Sequence, residues 1–109
     1  MRRGELYVAA ARGAYTGKPR PVVIVQDDRF DASASVTVCP VSTHLIDAPL
    51  FRIDVSLDTR VGVDRPSQIM VDKITTIPRQ NVTEYVGRLS DTDLVRVDRA
   101  LLVFLGLAG

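Results

Sequence analysis

The stretch Lys18-Pro19-Arg20-Pro21-Val22-Val23-Ile24-Val25-Gln26 contains four consecutive β-branched aliphatic side chains, at positions 22–25. Stiff β-branched side chains suit a pleated, buried strand, and the short run with its flanking prolines favours a strand over a helix. Prolines on both sides of Arg20 bias residues 18–21 towards extended backbone. The stretch therefore predicts a central strand with a backbone-restricted guanidinium at its start.

A guanidinium held in this way suits a site that must keep a phosphate in a set place, because its planar fork matches phosphate oxygens. The alternative interpretation is an ordinary solvated arginine at the start of a strand, since most arginines lie in solvent. The immediate context of Arg20 leaves both interpretations open.

The whole chain has the size and composition of a single globular domain, spanning residues 1–109. Of its residues 46% are hydrophobic and 25% are charged, which excludes a disordered chain. The formal net charge of +1 argues against a generally basic surface that coats nucleic acid. Any RNA or DNA site must therefore be a local patch.

The chain has one cysteine, Cys39, so it cannot form an intramolecular disulfide. Cys39 lies in an apolar run and is expected to be a small core residue. The lack of a signal-peptide pattern at the N-terminus and of a long apolar segment predicts a cytoplasmic protein with no membrane partner.

Further strands are predicted where short apolar or alternating segments lie between turn residues. These segments are residues 5–10, 36–41, 50–55, 67–77 (as one long or two short strands) and 85–89. Five to seven short strands followed by a helix indicate a mainly β fold, a small curved sheet or barrel closed by a C-terminal α-helix.

The predicted helix begins at Ser90-Asp91-Thr92-Asp93, which matches the capping-box pattern of a hydroxyl followed three residues later by an acid. Five apolar residues then fall at helical spacing on one face: Leu94, Val97, Leu101, Phe104 and Leu105. From Ala100 onward almost every residue is apolar, so we expect the sheet to cover one side and a second copy of the chain to cover another.

The residue inventory restricts the chemistry. One histidine and one cysteine cannot form a zinc cage, and no phosphate-binding glycine loop or dinucleotide fingerprint is present. Asp27, Asp28 and Asp31 could in principle hold Mg²⁺, although their position beside Arg29 is better explained by a polar turn. We therefore expect no metal and no cofactor.

The remaining polar groups suit metal-free work on a phosphodiester. Ser42 and Thr43 end the third predicted strand, His44 follows them, and Asp72 with Lys73 interrupts an apolar segment. These groups could meet Arg20 because the ends of neighbouring strands meet. Each also has a purely structural interpretation: a turn for the hydroxyls, a solvated loop for the histidine and an ion pair for the aspartate.

Five blocks, in this order along the chain, resemble the MazF/PemK (Kid) toxin family of type II toxin–antitoxin systems. They are Arg3–Tyr7, Arg20–Asp28, Cys39–Thr43, Ile69–Ile77 and Val86–Ser90, the last running into the apolar helix. The resemblance implies an SH3-like plasmid-maintenance barrel, a homodimer and a cognate antitoxin. It also implies a metal-independent endoribonuclease that cuts single-stranded RNA at a short sequence, leaving a 2′,3′-cyclic phosphate and a 5′-hydroxyl.

Within this resemblance the family's catalytic arginine falls on Arg20, its strand-end hydroxyl on Ser42 and its later acidic residue on Asp72. Arg20 would stabilise the charge that grows on the scissile phosphate. Ser42, aided by Thr43, would donate a hydrogen bond to a non-bridging oxygen. We therefore predict Arg20, Ser42 and Thr43 as catalytic residues.

The chain departs from the family in its short first loop, residues 12–19, and in the Lys73 and Met70 side chains beside Asp72. Because these loops differ from those of the family, they do not indicate which RNA sequence the protein recognises. Tyr15 is a candidate for stacking on a base, and Lys18 for contact with the RNA backbone. The predicted substrate-binding set is Tyr15, Lys18, His44, Asp72 and Lys73.

Two other functions remain open on the same barrel. One is a non-catalytic poison of DNA gyrase like the CcdB proteins, and the other is a toxin homologue that has lost activity. The combination of Arg20-Pro21 with Ser42-Thr43 favours the enzyme, because a gyrase poison does not require a phosphate-holding strand end.

Overall fold

A computed structural model describes residues 1–10, 18–56 and 60–108. Seven strands and one α-helix form the regular structure of this part of the chain. The strands are β1 (Glu5–Ala9), β2 (Arg20–Ile24), β3 (Ser35–Ser42), β4 (Arg52–Asp54), β5 (Gln68–Met70), β6 (Thr75–Pro78) and β7 (Val82–Arg88). Helix α1 spans Asp91–Phe104.

The strands form one antiparallel sheet in the order β4-β5-β3-β2-β1-β7, with β6 also paired to β3. The aliphatic strand β2 lies between β1 and β3, with Val23 opposite both Leu6 and Cys39. This confirms the mainly β fold with a C-terminal helix and the central place of the opening stretch. In the described ranges the end strands β4 and β7 do not pair, so the sheet is open and does not close into a continuous barrel.

The segment 67–77 forms two short strands separated by a 3-10 turn at Val71–Lys73. The beginning of β3 pairs with β6, with Val36 opposite Ile77, whereas its end pairs with β5, with Val41 opposite Ile69. The chain uses the turn to pass from one half of β3 to the other. Of the two alternatives for this segment, two short strands is confirmed, and Asp72 and Lys73 lie in the turn that interrupts it.

The core lies on both faces of the sheet, because alternate side chains of a strand point to opposite faces. Leu6, Val23 and Cys39 belong to a buried cluster that includes Val97 and Leu101 of α1. The other face buries a smaller cluster: Ala9, Val22, Ile24, Val36, Val38, Ile77 and Val82. Cys39 is fully buried, and this burial raises the pKa of its thiol to about 12.

Helix α1 begins as predicted at the Ser90 N-cap, whose hydroxyl accepts a hydrogen bond from the Asp93 backbone N–H at 3.1 Å. Only this half of the capping box forms. The buried Asp93 carboxylate instead accepts from the Ser56 backbone N–H at 2.9 Å and pairs with Arg96 at 3.0 Å. The start of the helix is thus fastened to the chain that follows β4.

The end of α1 differs from its beginning. Val97 and Leu101 are buried as predicted, but Phe104 and Leu105, assigned to the same face, are 45% and 51% exposed. The helix ends at a left-handed Gly106, where the Leu107 N–H donates to the Leu102 carbonyl. The sheet therefore covers only the first turns. Within the described residues, no helix has the length and apolar character needed to cross a membrane.

Candidate active site

The site begins at a corner of the sheet where one strand starts and its neighbour ends. Arg20 is the first residue of β2, and Ser42 is the last residue of β3. The two strands are antiparallel, and their pairing runs up to Val22 opposite Pro40, two residues from Arg20 and from Ser42. Arg20 and Thr43, the residue after Ser42, line one cavity, so the start of β2 and the end of β3 lie at the same corner.

A cavity of about 190 Å³ opens at this corner. One wall comes from the corner itself, through Arg20, Pro21, Val41 and Thr43. The rest of the lining, the far wall, comes from the loop before β5 and from β7, through Gly62, Val63, Asp64, Arg65, Ser67 and Val86. The lining thus combines valine side chains with charged and hydroxyl groups.

Arg20 is exposed, and its guanidinium forms no ion pair or hydrogen bond with any described residue. Its backbone is held by pairing with Ala9 of β1, while Pro21 restricts the conformation of Arg20 itself. A guanidinium on a fixed backbone with no partner in the fold is available to an anion that enters the cavity.

Ser42 is half-buried and lies between two residues that line the cavity, Val41 and Thr43, but does not line it itself. Its hydroxyl oxygen accepts a hydrogen bond from the His44 backbone N–H at 3.0 Å, which confirms the turn interpretation. Its hydroxyl hydrogen is left to donate, because a hydroxyl can accept and donate at once. Thr43 is exposed and lines the cavity, so its hydroxyl is a second donor at the same corner.

Three other residues are predicted to contact RNA, and neither of the two that the structure describes is among the residues that line the cavity. Lys18 is exposed and lies just before Arg20 in the chain, but it does not line the cavity. His44 is also exposed and outside the cavity lining, while its backbone carbonyl accepts from Arg52 at 3.2 Å. Tyr15 lies outside the described residues.

Asp72 and Lys73 are not brought to the cavity. Helix α1 packs against their 3-10 turn, and Lys73 is exposed there. Asp72 is half-buried, and its Oδ1 atom is buried with no hydrogen-bond partner among the described residues. The turn that carries Asp72 also contacts β3, and the Asp72 carboxylate adds to the burial that raises the pKa of the Cys39 thiol.

The three aspartates considered for Mg²⁺ have partners within the fold. Asp27 caps the 3-10 turn Asp28–Phe30, and the hydrogen bond from the Arg29 backbone N–H lowers the pKa of Asp27. Asp28 accepts from the Arg3 backbone N–H at 2.6 Å. The N-terminal ammonium, 3.2 Å away, lowers the pKa of Asp31. The polar-turn interpretation is confirmed. The described ranges contain no cluster of three side chains suited to a metal ion.

Sequence reasoning missed the far wall of the cavity, because residues 59–66 look like an ordinary loop. Two glycines bring this loop against β7: a Cβ on Gly62 would overlap the Val86 carbonyl, and one on Gly87 would overlap the Val61 carbonyl. One sequence signal existed, since Arg65-Pro66 repeats the Arg-Pro pattern of Arg20-Pro21.

These features define a mainly antiparallel β domain with a C-terminal helix and an open cationic cavity at a strand corner. A sequence model of the PemK-like, MazF-like toxins of type II toxin–antitoxin systems matches residues 2–105. The chain belongs to this toxin family.

Individual relatives agree with this assignment. A Mycolicibacterium smegmatis protein named as a probable endoribonuclease MazF is 63% identical over 109 residues, covering 100% of both chains. The endoribonuclease MazF9 of Mycobacterium tuberculosis is 30% identical over 116 residues, covering 98% of each chain. A mycobacterial endoribonuclease solved with its cognate antitoxin superposes with a TM-score of 0.84 at 19% identity, over 100% of this chain and 98% of the other, which shows a shared fold.

Proposed function

We propose that the chain is a single-domain toxin that cleaves single-stranded RNA at a short sequence without a metal ion. The observation that carries the proposal is the corner cavity, where Arg20 has no partner among the described residues and the Thr43 hydroxyl faces the same space. The naming of the full-length 63% identical relative as a probable endoribonuclease supports the same activity. We place the reaction in the cytoplasm.

The proposed reaction is an internal attack on the phosphodiester. The RNA 2′-hydroxyl loses its proton and its oxygen forms a bond to the adjacent phosphorus. The bond from phosphorus to the 5′-oxygen breaks, and that oxygen takes up a proton. The products are a 2′,3′-cyclic phosphate and a 5′-hydroxyl end.

Arg20 acts on the negative charge that grows on the phosphate oxygens during this attack. A preorganised cation lowers the barrier because it does not have to reorient as the charge develops. We assign stabilisation and not proton transfer to Arg20, because a guanidinium does not deprotonate readily. The Ser42 and Thr43 hydroxyls donate hydrogen bonds to non-bridging oxygens of the same phosphate.

The toxin is proposed to be neutralised by a cognate antitoxin and to form a homodimer. An apolar segment supports a protein partner: Leu102, Val103, Phe104, Leu105 and Leu107 are between 43% and 72% exposed. Exposed apolar patches of this kind mark interaction sites. Light scattering of the purified chain tests the dimer, and Leu105→Glu should shift the mass towards the monomer.

RNA cleavage is tested most simply by incubating the purified chain with a long single-stranded RNA in EDTA. Discrete fragments whose new 5′-ends are hydroxyls, and so accept phosphate from a kinase without prior dephosphorylation, are the expected result. Intact RNA would contradict the proposal. Intact RNA together with inhibition of DNA gyrase would identify a gyrase poison instead.

A further inference from the structure

Arg65 is the second arginine of the corner cavity. Both arginines line the same cavity, Arg20 from the start of β2 and Arg65 from the loop before β5. Each is followed by a proline, which restricts the backbone conformations open to it: Arg20 lies in a strand and Arg65 at a bend. The cavity is therefore flanked by two guanidinium groups on restricted backbones.

The backbone of Arg65 is held by a hydrogen bond as well as by its proline. Ser67 is buried, lines the cavity and donates its hydroxyl hydrogen to the Arg65 carbonyl at 2.9 Å. The preceding Gly62 sets the loop directly against the Val86 backbone of β7. The wall that carries Arg65 is thus packed against the sheet and does not depend on a long free loop.

The charge of the cavity favours an anion. Among the described lining residues the charged groups are Arg20, Arg65 and Asp64, two cations and one carboxylate. Arg65, like Arg20, forms no ion pair or hydrogen bond through its guanidinium with a described residue. A cation that the fold leaves without a carboxylate partner is available for a phosphate.

We propose that Arg65 is a positioning residue that binds the RNA phosphate next to the one held by Arg20. This inference rests on the proposed function, because it adds a second phosphate contact to the same site. This second contact holds the RNA equally well in the ground state and in the transition state, so it strengthens binding and leaves the attack itself to the Arg20 corner. Phosphate contacts set position and carry no sequence information of their own.

The test is single-turnover RNA cleavage, measured over a range of enzyme and salt concentrations for the wild type, Arg65→Ala and Arg65→Lys. Arg65→Ala should raise the half-saturating enzyme concentration on the order of 10- to 100-fold and leave the maximal rate close to that of the wild type. Its logarithmic salt slope should be smaller by about 0.7, the contribution of one single-strand phosphate. Arg65→Lys should restore part of the affinity, because it keeps the charge.

Arg99→Ala is the matched control, since Arg99 is an exposed helix arginine outside the cavity lining. Arg99→Ala removes the same charge and should leave the half-saturating enzyme concentration and the salt slope unchanged. If Arg65→Ala and the wild type had equal affinity for RNA and equal salt slopes, the inference would be overturned. Cleavage by the wild type in the same experiment would still support the proposed function. A changed set of cleavage sites in Arg65→Ala would overturn the inference too, because that result indicates contact with a base. Absence of cleavage by the wild type would instead remove the proposed function.

Discussion

Arg3 and Arg79, which lie in space around the N-terminus, have environments opposite to those of the two arginines of the corner cavity. Arg3 donates to the Val25 carbonyl at 2.9 Å and pairs with Asp98 of helix α1 at 2.5 Å, while Arg79 pairs with Asp31. Arg20 and Arg65 have no such partner among the described residues. The same side chain thus fastens the fold in one region and is left free for a ligand in the other.

This difference separates stability from activity. A paired, partly buried charge contributes to folding, and its loss leaves a carboxylate without compensation. An exposed guanidinium with no partner contributes little to folding. Substitutions in the two regions should therefore have effects that do not overlap.

The largest expected effect is the decrease in the rate of RNA cleavage caused by Arg20→Ala. Removing a preorganised group that stabilises the transition-state charge costs about 10²- to 10³-fold in rate. Single-turnover cleavage in EDTA measures the loss, and the melting temperature should stay at the wild-type value because Arg20 is exposed. A lowered melting temperature would show that Arg20 also supports the fold.

Ser42→Ala should have the next largest effect on cleavage. It removes a hydrogen bond to a charged oxygen, which corresponds to roughly a 10- to 100-fold slower reaction. Ser33→Ala is the matched control, because Ser33 is another turn hydroxyl, which donates to the Ser35 carbonyl at 2.6 Å. No chain neighbour of Ser33 lines the cavity, whereas both neighbours of Ser42 do. Equal rates for the two variants would restrict Ser42 to its turn.

Arg3→Ala should affect stability and spare cleavage. Losing the charged contacts of Arg3 should lower the free energy of unfolding by about 1–3 kcal/mol. In a domain of this size, each kcal/mol of lost stability lowers the melting temperature by roughly 4–8 °C. Thermal unfolding measures the change, and the cleavage rate per folded molecule should match the wild type. An unchanged melting temperature would remove Arg3 from the set of structural arginines.

At neutral pH the smallest expected effect concerns the fully buried Cys39, because its contribution to stability changes only in alkaline solution. Since its folded pKa is raised to about 12, the thiol favours folding below its unfolded value of 9.0, and this contribution is lost as the pH rises towards 12. The unfolding free energy of the wild type should therefore fall more steeply with pH in this window than that of Cys39→Ala. The native thiol should also resist a thiol reagent at pH 8, and rapid labelling of folded protein would contradict this burial.

The features that sequence reasoning predicts correctly are local. The β-branched run after Arg20, the Ser90 cap and the burial of Cys39 follow from neighbouring residues alone. The 3-10 turn at Val71–Lys73 does not, because it arises where β3 changes its partner from β6 to β5. The position of Asp72 away from the cavity follows from this turn.

The far wall of the cavity shows the same limit. Arg65 reaches the site because Gly62 and Gly87 let distant segments of backbone approach closely. Neither glycine signals this contact in its own stretch of sequence. The Asp93 carboxylate is similar, since its partner Ser56 is 37 residues away in the chain.

The central claim, that an arginine left without a partner by the fold supplies the charge for RNA cleavage, is tested most directly by chemical rescue. Arg20→Ala would be assayed in EDTA with guanidinium ion or, as a control, ethylammonium ion, each at a low, non-denaturing concentration. Guanidinium should restore part of the lost cleavage, ethylammonium should restore less, and Arg3→Ala should respond to neither. Cleavage by Arg20→Ala at the wild-type rate without any added cation would contradict the central claim.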